Sequence, residues 1–122
     1  MSISFRRALG NQGETLVEEY LLKQGFSIVM KNFSVRGGEI DLIACKKDVI
    51  AFIEVKTRTH IYFDTSEVIT LAKQKKIIFA AKFFIAKQAY VDMTYRFDVA
   101  LVHGEQQKEI TYLENAFCEQ ER

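Results

Sequence analysis

The run Val49-Ile-Ala-Phe-Ile-Glu-Val-Lys-Thr57 constrains the fold more than any other stretch of this chain. Its β-branched and aromatic residues favour a strand, and apolar residues occupy both alternating faces, the pattern of a strand covered on two sides. It reads as a central strand. Ile50, Phe52, Glu54 and Lys56 share one face, and Ala51, Ile53 and Val55 the other. A carboxylate and an ammonium therefore project together from an apolar strand. Such a pair is tolerated when the two groups satisfy each other, reach the end of the sheet, or bind a cation.

The remaining elements are read from periodicity. Leu9, Leu16, Val17, Tyr20 and Leu21 recur at helical spacing between Leu9 and Gln24, and Gly25 stands where a left-handed residue ends a helix. Phe26, Ile28 and Met30 alternate as a strand, and after Arg36-Gly37-Gly38 a second alternating run extends from Glu39 to Cys45. Asp64 and Glu67 have capping-box spacing and predict a helix from Thr65 to about Gln88. One stripe of that helix holds Val68, Ala72, Phe79, Phe83 and Ala86, and the other side Ile77, Ala80, Ala81 and Phe84, which predicts burial on two sides or a dimer surface. Tyr95–Val102 and Glu109–Leu113 alternate as further strands, and 114–118 reads as a terminal helical turn. The order is αβββαββ, an α/β or α+β domain.

With 122 residues, 48% of them hydrophobic and 27% charged, the chain suits one globular domain over 1–122, with an acidic tail from about 104. Cys45 and Cys118 lack metal-site spacing, and His60 and His103 are isolated, so zinc is not expected and a reducing compartment fits. No apolar run approaches the ~18 residues of a membrane span, so a cytoplasmic protein without a membrane partner is expected.

On the second strand Glu39, Asp41, Ile43 and Cys45 face one way, and Ile40, Leu42 and Ala44 the other. If the hairpin aligns these faces, Asp41, Glu54 and Lys56 converge. Two carboxylates and a lysine are what metal-assisted phosphodiester hydrolysis needs: hard oxygen ligands for Mg2+ or Mn2+, and a cation beside the reacting phosphate. The alternative is a structural salt bridge at a sheet edge. The triplet Glu54-Val55-Lys56 alone is unspecific, since a chain with sixteen acidic residues and eleven lysines contains an acid-x-Lys about once by chance. Its strand placement, with Asp41 across a glycine hairpin, gives it weight. Glu39 stands nearer the strand end, Arg58 follows Lys56 on the same face, and Asp98 is expected to pair with Arg96. The phenylalanines and tyrosines fit core spacing, without an aromatic platform for single strands.

Gly13-Glu14, Arg36-Gly-Gly-Glu-Ile-Asp-Leu-Ile43, Phe52-Ile-Glu-Val-Lys-Thr-Arg58, Lys73, Arg96-Phe-Asp-Val99 and Asn115-Ala-Phe117 together resemble the YraN-like family of predicted bacterial endonucleases. That family is similar to the restriction-endonuclease-like PD-(D/E)xK superfamily and to archaeal Holliday-junction resolvases. The resemblance implies an αβββαβ core with a central mixed sheet flanked by helices. It implies metal ligands at Asp41 and Glu54, a catalytic lysine at Lys56, and a first-helix carboxylate, Glu14, that contacts the metal or its water. Lys73 becomes a phosphate contact near the site, with Arg36, Arg58 and Lys76 as further nucleic-acid-binding candidates. Val17 and Asp64 depart from the family pattern, which has alanine and glycine there; neither change removes a ligand.

The expected function is a Mg2+- or Mn2+-dependent endonuclease acting on DNA, duplex or branched, with a homodimer as one assembly. The alternatives are a non-catalytic module of the same fold that binds DNA or a DNA-processing protein, and an interaction subunit built on the long helix. A formal charge of +1 argues against a nucleic-acid binder on its face. It averages two regions. Tyr20–Tyr90 carries twelve basic against six acidic residues, while the chain after Val102 carries two against five.

Overall fold

The computed structural model describes residues 3–58, 69–88 and 90–120, with side chains from residue 12 onward. Its elements are α1 (Ile3–Lys23), β1 (Ser27–Val35), β2 (Gly38–Lys46), β3 (Val49–Arg58), α2 (Leu71–Lys87), β4 (Thr94–His103) and β5 (Glu109–Phe117). The strands form one sheet in the order β1-β2-β3-β4-β5. All neighbours are antiparallel except the β3–β4 pair, which is parallel. A parallel neighbour requires a crossover, and α2 lies in it. The result is an α/β fold with an open mixed sheet, consistent with a restriction-endonuclease-like core. Among the described residues no helix is long and apolar enough to cross a membrane.

The central position of β3 follows from its residues. Ile50 and Phe52 join Ile43, Val99 and Leu101 against Ile77, Ala80, Ala81 and Phe84 of α2. Ala51 and Ile53 join Leu42, Ala44, Ala100 and Val102 against Val17 and Leu21 of α1. Phe52 and Phe84 are fully buried and meet edge to face at 5.9 Å. Removing side chains of this size from water stabilises the fold by about 1.5–3 kcal/mol each. At the end of α1, Gly25 adopts φ +94. There the Phe26 N–H donates to the Leu21 carbonyl at 2.9 Å and the Gly25 N–H to the Leu22 carbonyl at 3.1 Å, the Schellman closure its position predicts.

Four expectations are corrected. The helix α2 begins at Leu71, where the Thr70 hydroxyl accepts the Lys73 N–H at 3.2 Å, and not at Thr65. The proposed capping box of Asp64 and Glu67 lies outside the described residues, as does His60. The segment 114–118 is not a helical turn, because β5 runs to Phe117. Asp98 holds it there: the buried carboxylate accepts the Asn115 N–H at 2.8 Å where Asn115 turns to φ 51. The acidic end of the chain is therefore largely an edge strand. Ile40 packs on the α2 side with Ile43, against strict alternation along β2. Finally, among the described residues α2 is covered by its own chain on one side only; Phe79 and Phe83 are 45% and 43% exposed, which leaves the dimer-surface alternative of that expectation standing.

Candidate functional site

The β2–β3 ladder ends at the pair Leu42–Ile53. Continued one step, it would set Asp41 opposite Glu54, and two steps, Ile40 opposite Val55, but there the strands part. Asp41 Oδ2 instead accepts the Val55 N–H at 2.8 Å. A side chain thus takes over a ladder bond, which satisfies the backbone of β3 and fixes the Asp41 carboxylate beside Glu54. The opening lies at the C-terminal end of β3, beside its parallel neighbour and the start of α2. Ligands of open α/β sheets gather at such strand ends.

Glu54 points into this opening with its side chain 6% exposed. Its Oε1 is 3.7 Å from Lys56 Nζ and 3.9 Å from Lys73 Nζ. Both distances exceed the 2.7–2.9 Å or so of a charge-assisted hydrogen bond. Its Oε2 is buried and accepts no hydrogen bond among the described residues. With both carboxylates ionised neither can donate to the other; a proton, when present, bridges Glu54 and Asp41. Burial first, and then the Asp41 charge, push the Glu54 carboxyl up to about 7, while Lys73 and Lys56 pull it down. Burial also raises Asp41, against the Val55 hydrogen bond and Lys73. Two carboxylates held in each other's field, one with an unmet buried oxygen, suit a hard cation.

Two glycines set the walls. A side-chain carbon on Gly13 would lie 2.7 Å from Thr57 Oγ1, so with the Thr57 hydroxyl where it is glycine lets α1 rest on the end of β3. That approach brings half-buried Glu14 into the field of Asp41. Burial and then the Asp41 charge raise the Glu14 carboxyl, opposed by a hydrogen bond from the Asn32 side chain. A side-chain carbon on Gly38 would fall on the Lys76 carbonyl oxygen, so β2 and α2 approach too closely for any other residue, and Lys73 faces the carboxylates. Among the described residues no three His, Cys, Asp or Glu side chains form a group that could hold a metal ion. Glu14 therefore stands beside the Asp41–Glu54 pair and does not complete a three-carboxylate cluster with it.

The model of the uncharacterised protein family UPF0102 matches residues 13–102, from Gly13 to Val102 near the end of β4. The chain belongs to the UPF0102 family. This is the YraN family that the motifs resemble. A UPF0102 protein of Alkaliphilus metalliredigens is 38% identical over 112 residues, covering 91% of this chain and 98% of that protein. One from Caldicellulosiruptor saccharolyticus is 40% identical over 116 residues, covering 92% and 98%. A third, from Vibrio parahaemolyticus, is 36% identical over 121 residues, covering 98% and 99%.

The UPF0102 match contains Glu14, Asp41, Glu54, Lys56 and Lys73 and stops short of β5. Of the predicted site residues, Asp41, Glu54, Lys56 and Lys73 come together and Glu14 borders them. The others are peripheral. Lys76 lines a concavity of about 300 Å³ with Lys73 and the 34–39 hairpin, where Glu39 is also found. Arg36 is exposed in the hairpin turn. Arg58 is exposed at the end of β3, its guanidinium donating to the Thr57 carbonyl at 3.1 Å. Asp98 is absent from the site, held by a two-pronged pairing with Arg96 at 2.9 Å, as expected.

Two features escape sequence reading. Asn32, at φ 54 and in register opposite Asp41, touches Glu14 from β1; asparagine's tolerance of left-handed backbone is the only signal. Phe79 and Phe83 form an exposed aromatic pair, rings 5.1 Å apart, where core spacing suggested burial.

Proposed function

We propose that this UPF0102 chain is a divalent-metal-dependent nuclease that hydrolyses phosphodiester bonds in DNA, duplex or branched. The observation that carries the proposal is the buried, unmet Oε2 of Glu54 beside Asp41. A structural salt bridge would close a lysine onto Glu54 and satisfy both oxygens; neither lysine is within hydrogen-bond range. Asp41 and Glu54 would hold Mg2+ or Mn2+, since Mg2+ commonly binds through one or two carboxylates with water and substrate phosphate completing its shell. When bound, the ion would polarise the phosphoryl oxygens and lower the pKa of water.

The chain's own residues supply the rest. The Val55 N–H keeps Asp41 aimed into the opening. Lys56 presents its ammonium where negative charge grows on the phosphate, a contribution to transition-state stabilisation made by a group already in place. Lys73 offsets the charge of the carboxylate pair from the other side and, with Lys76, offers cations to the neighbouring phosphate. Glu14 lies where it can accept a hydrogen bond from a water near Asp41. The free thiols Cys45 and Cys118 accord with a cytoplasmic setting.

The test is incubation with duplex, flap, four-way-junction and single-stranded DNA in Mg2+ or Mn2+. Cleavage that Glu54→Ala and Lys56→Ala abolish supports the proposal; no cleavage, or cleavage undiminished in both variants, sinks it. A non-catalytic module binding DNA or a DNA-processing protein has one observation in its favour: among the described residues no third side chain completes a metal cluster. It predicts salt-sensitive DNA binding that survives Asp41→Ala and Glu54→Ala, without cleavage.

A further inference from the structure

Lys76, Phe79 and Phe83 stand at helical spacing on one face of α2, continuing from Lys73 at the carboxylate pair. Phe79 lies about 9 Å beyond Lys73 along the helix axis and Phe83 about 15 Å, at 1.5 Å per residue. Between the first two stages is the concavity that the 34–39 hairpin forms with Lys73 and Lys76. It ends at Gly37, where a side-chain carbon would come within 3.2 Å of Phe79 Cε2; lacking one, the turn lets the Phe79 ring lie against it. Two phenylalanines nearly half exposed and in edge contact are an unusual use of a surface helix position.

We propose that this stripe holds an unpaired DNA strand leaving the cleavage site, with Lys73 and Lys76 on phosphates and a base stacked on the Phe79–Phe83 pair. The inference rests on the nuclease reading for the identity of the ligand, and it narrows the substrate to DNA with a single-stranded segment beside the scissile bond. Chemistry selects the strand. A base inside a duplex already has both faces stacked and cannot lie on an aromatic ring, whereas an unpaired base can. Lysines lead from the carboxylates to the rings, and Arg36 stands on the hairpin turn beside them. Glu39 is the one acid lining the concavity, against two lysines. The rings alone cannot make a stable interface with a second copy of the chain, which would need further surface around them. At 45% and 43% exposure they offer roughly 200 Å² together, against about 800 Å² per partner in a stable interface.

Fluorescence anisotropy in EDTA, where no cleavage occurs, tests this with a blunt duplex and the same duplex carrying an unpaired thymidine overhang. The overhang should tighten binding about tenfold, the order expected for stacking one base. Phe79→Ala/Phe83→Ala should erase that gain and leave blunt-duplex affinity unchanged, and Phe79→Tyr/Phe83→Tyr should keep it. Equal affinity for the two DNAs, or a preference unchanged in the alanine variant, overturns the inference. So does sedimentation showing a dimer that the alanine variant dissociates while its DNA preference persists. The two proposals fail separately. An intact overhang preference without cleavage in metal refutes the nuclease alone, and cleavage of blunt duplex without any preference refutes the strand track alone.

Discussion

Replacing Glu54 with glutamine should stabilise the metal-free protein at neutral and alkaline pH while abolishing cleavage. The carboxyl moves from an ordinary value of 4.5 to about 7 on folding, chiefly through burial and the Asp41 charge. An acid raised in this way keeps its proton in the folded state after the unfolded chain has lost it. Its contribution to stability is therefore complete below about pH 4.5 and lost as the pH rises through about 7. Each pH unit in that interval is worth about 1.4 kcal/mol, so ionising Glu54 costs the fold about 3 kcal/mol. Glutamine escapes that cost, and its amide can donate to Asp41. Urea unfolding in EDTA at about pH 5 and about pH 8 should show the wild type weakening by up to about 3 kcal/mol and Glu54→Gln far less. The opposite outcome is equally legible. If Glu54 were half of a stabilising buried salt bridge, removing its charge would cost about 3–5 kcal/mol. A variant less stable than wild type at pH 8, or a wild type whose stability does not fall between the two pH values, would show that ionised Glu54 does not cost the fold stability.

Two further perturbations separate the site from its scaffold. Gly38→Ala places a carbon on the Lys76 carbonyl oxygen. It should cost about 1–3 kcal/mol as overpacking between β2 and α2, read by thermal unfolding, and lower cleavage by displacing Lys73. Asp98→Asn neutralises a fully buried carboxylate held by part-exposed Arg96, the Tyr112 hydroxyl at 2.5 Å and the Asn115 N–H. A loss of about 3–5 kcal/mol is expected, with Mn2+ affinity of the folded protein, measured by calorimetry, unchanged.

The order of elements is legible because β3 and its neighbours alternate on a period of two and the helices do not. Gly25 marks the end of α1 for a reason local to the chain. The failures come from tertiary contacts. Glu114-Asn115-Ala116 has no strand pattern, and it stays in β5 because Asp98, on the neighbouring strand, captures the Asn115 N–H. The flip that puts Ile40 with Ile43 arises where β2 leaves β3, and no periodicity encodes that parting. The same parting is what lets Asp41 reach Val55. Sequence alternation alone thus identifies Asp41 and Glu54 as candidates and leaves open whether they meet. Lys73 enters by family resemblance, and its approach to Glu54 depends on Gly38, whose closeness to α2 is invisible before folding. The second apolar stripe of α2 predicted a covering element or a dimer surface; within the chain Phe79 and Phe83 stand open. The neutral total charge misleads because it averages a basic middle, which carries Lys56, Lys73 and Lys76, with acids now found on and beyond the edge strand β5.

Crystals soaked in Mn2+ and measured for anomalous scattering test the metal site directly. A peak between the Asp41 and Glu54 carboxylates, bonded to Glu54 Oε2 and absent in Glu54→Gln, is the predicted result. An empty opening, with a lysine closed onto Glu54 and both its oxygens satisfied, would contradict it.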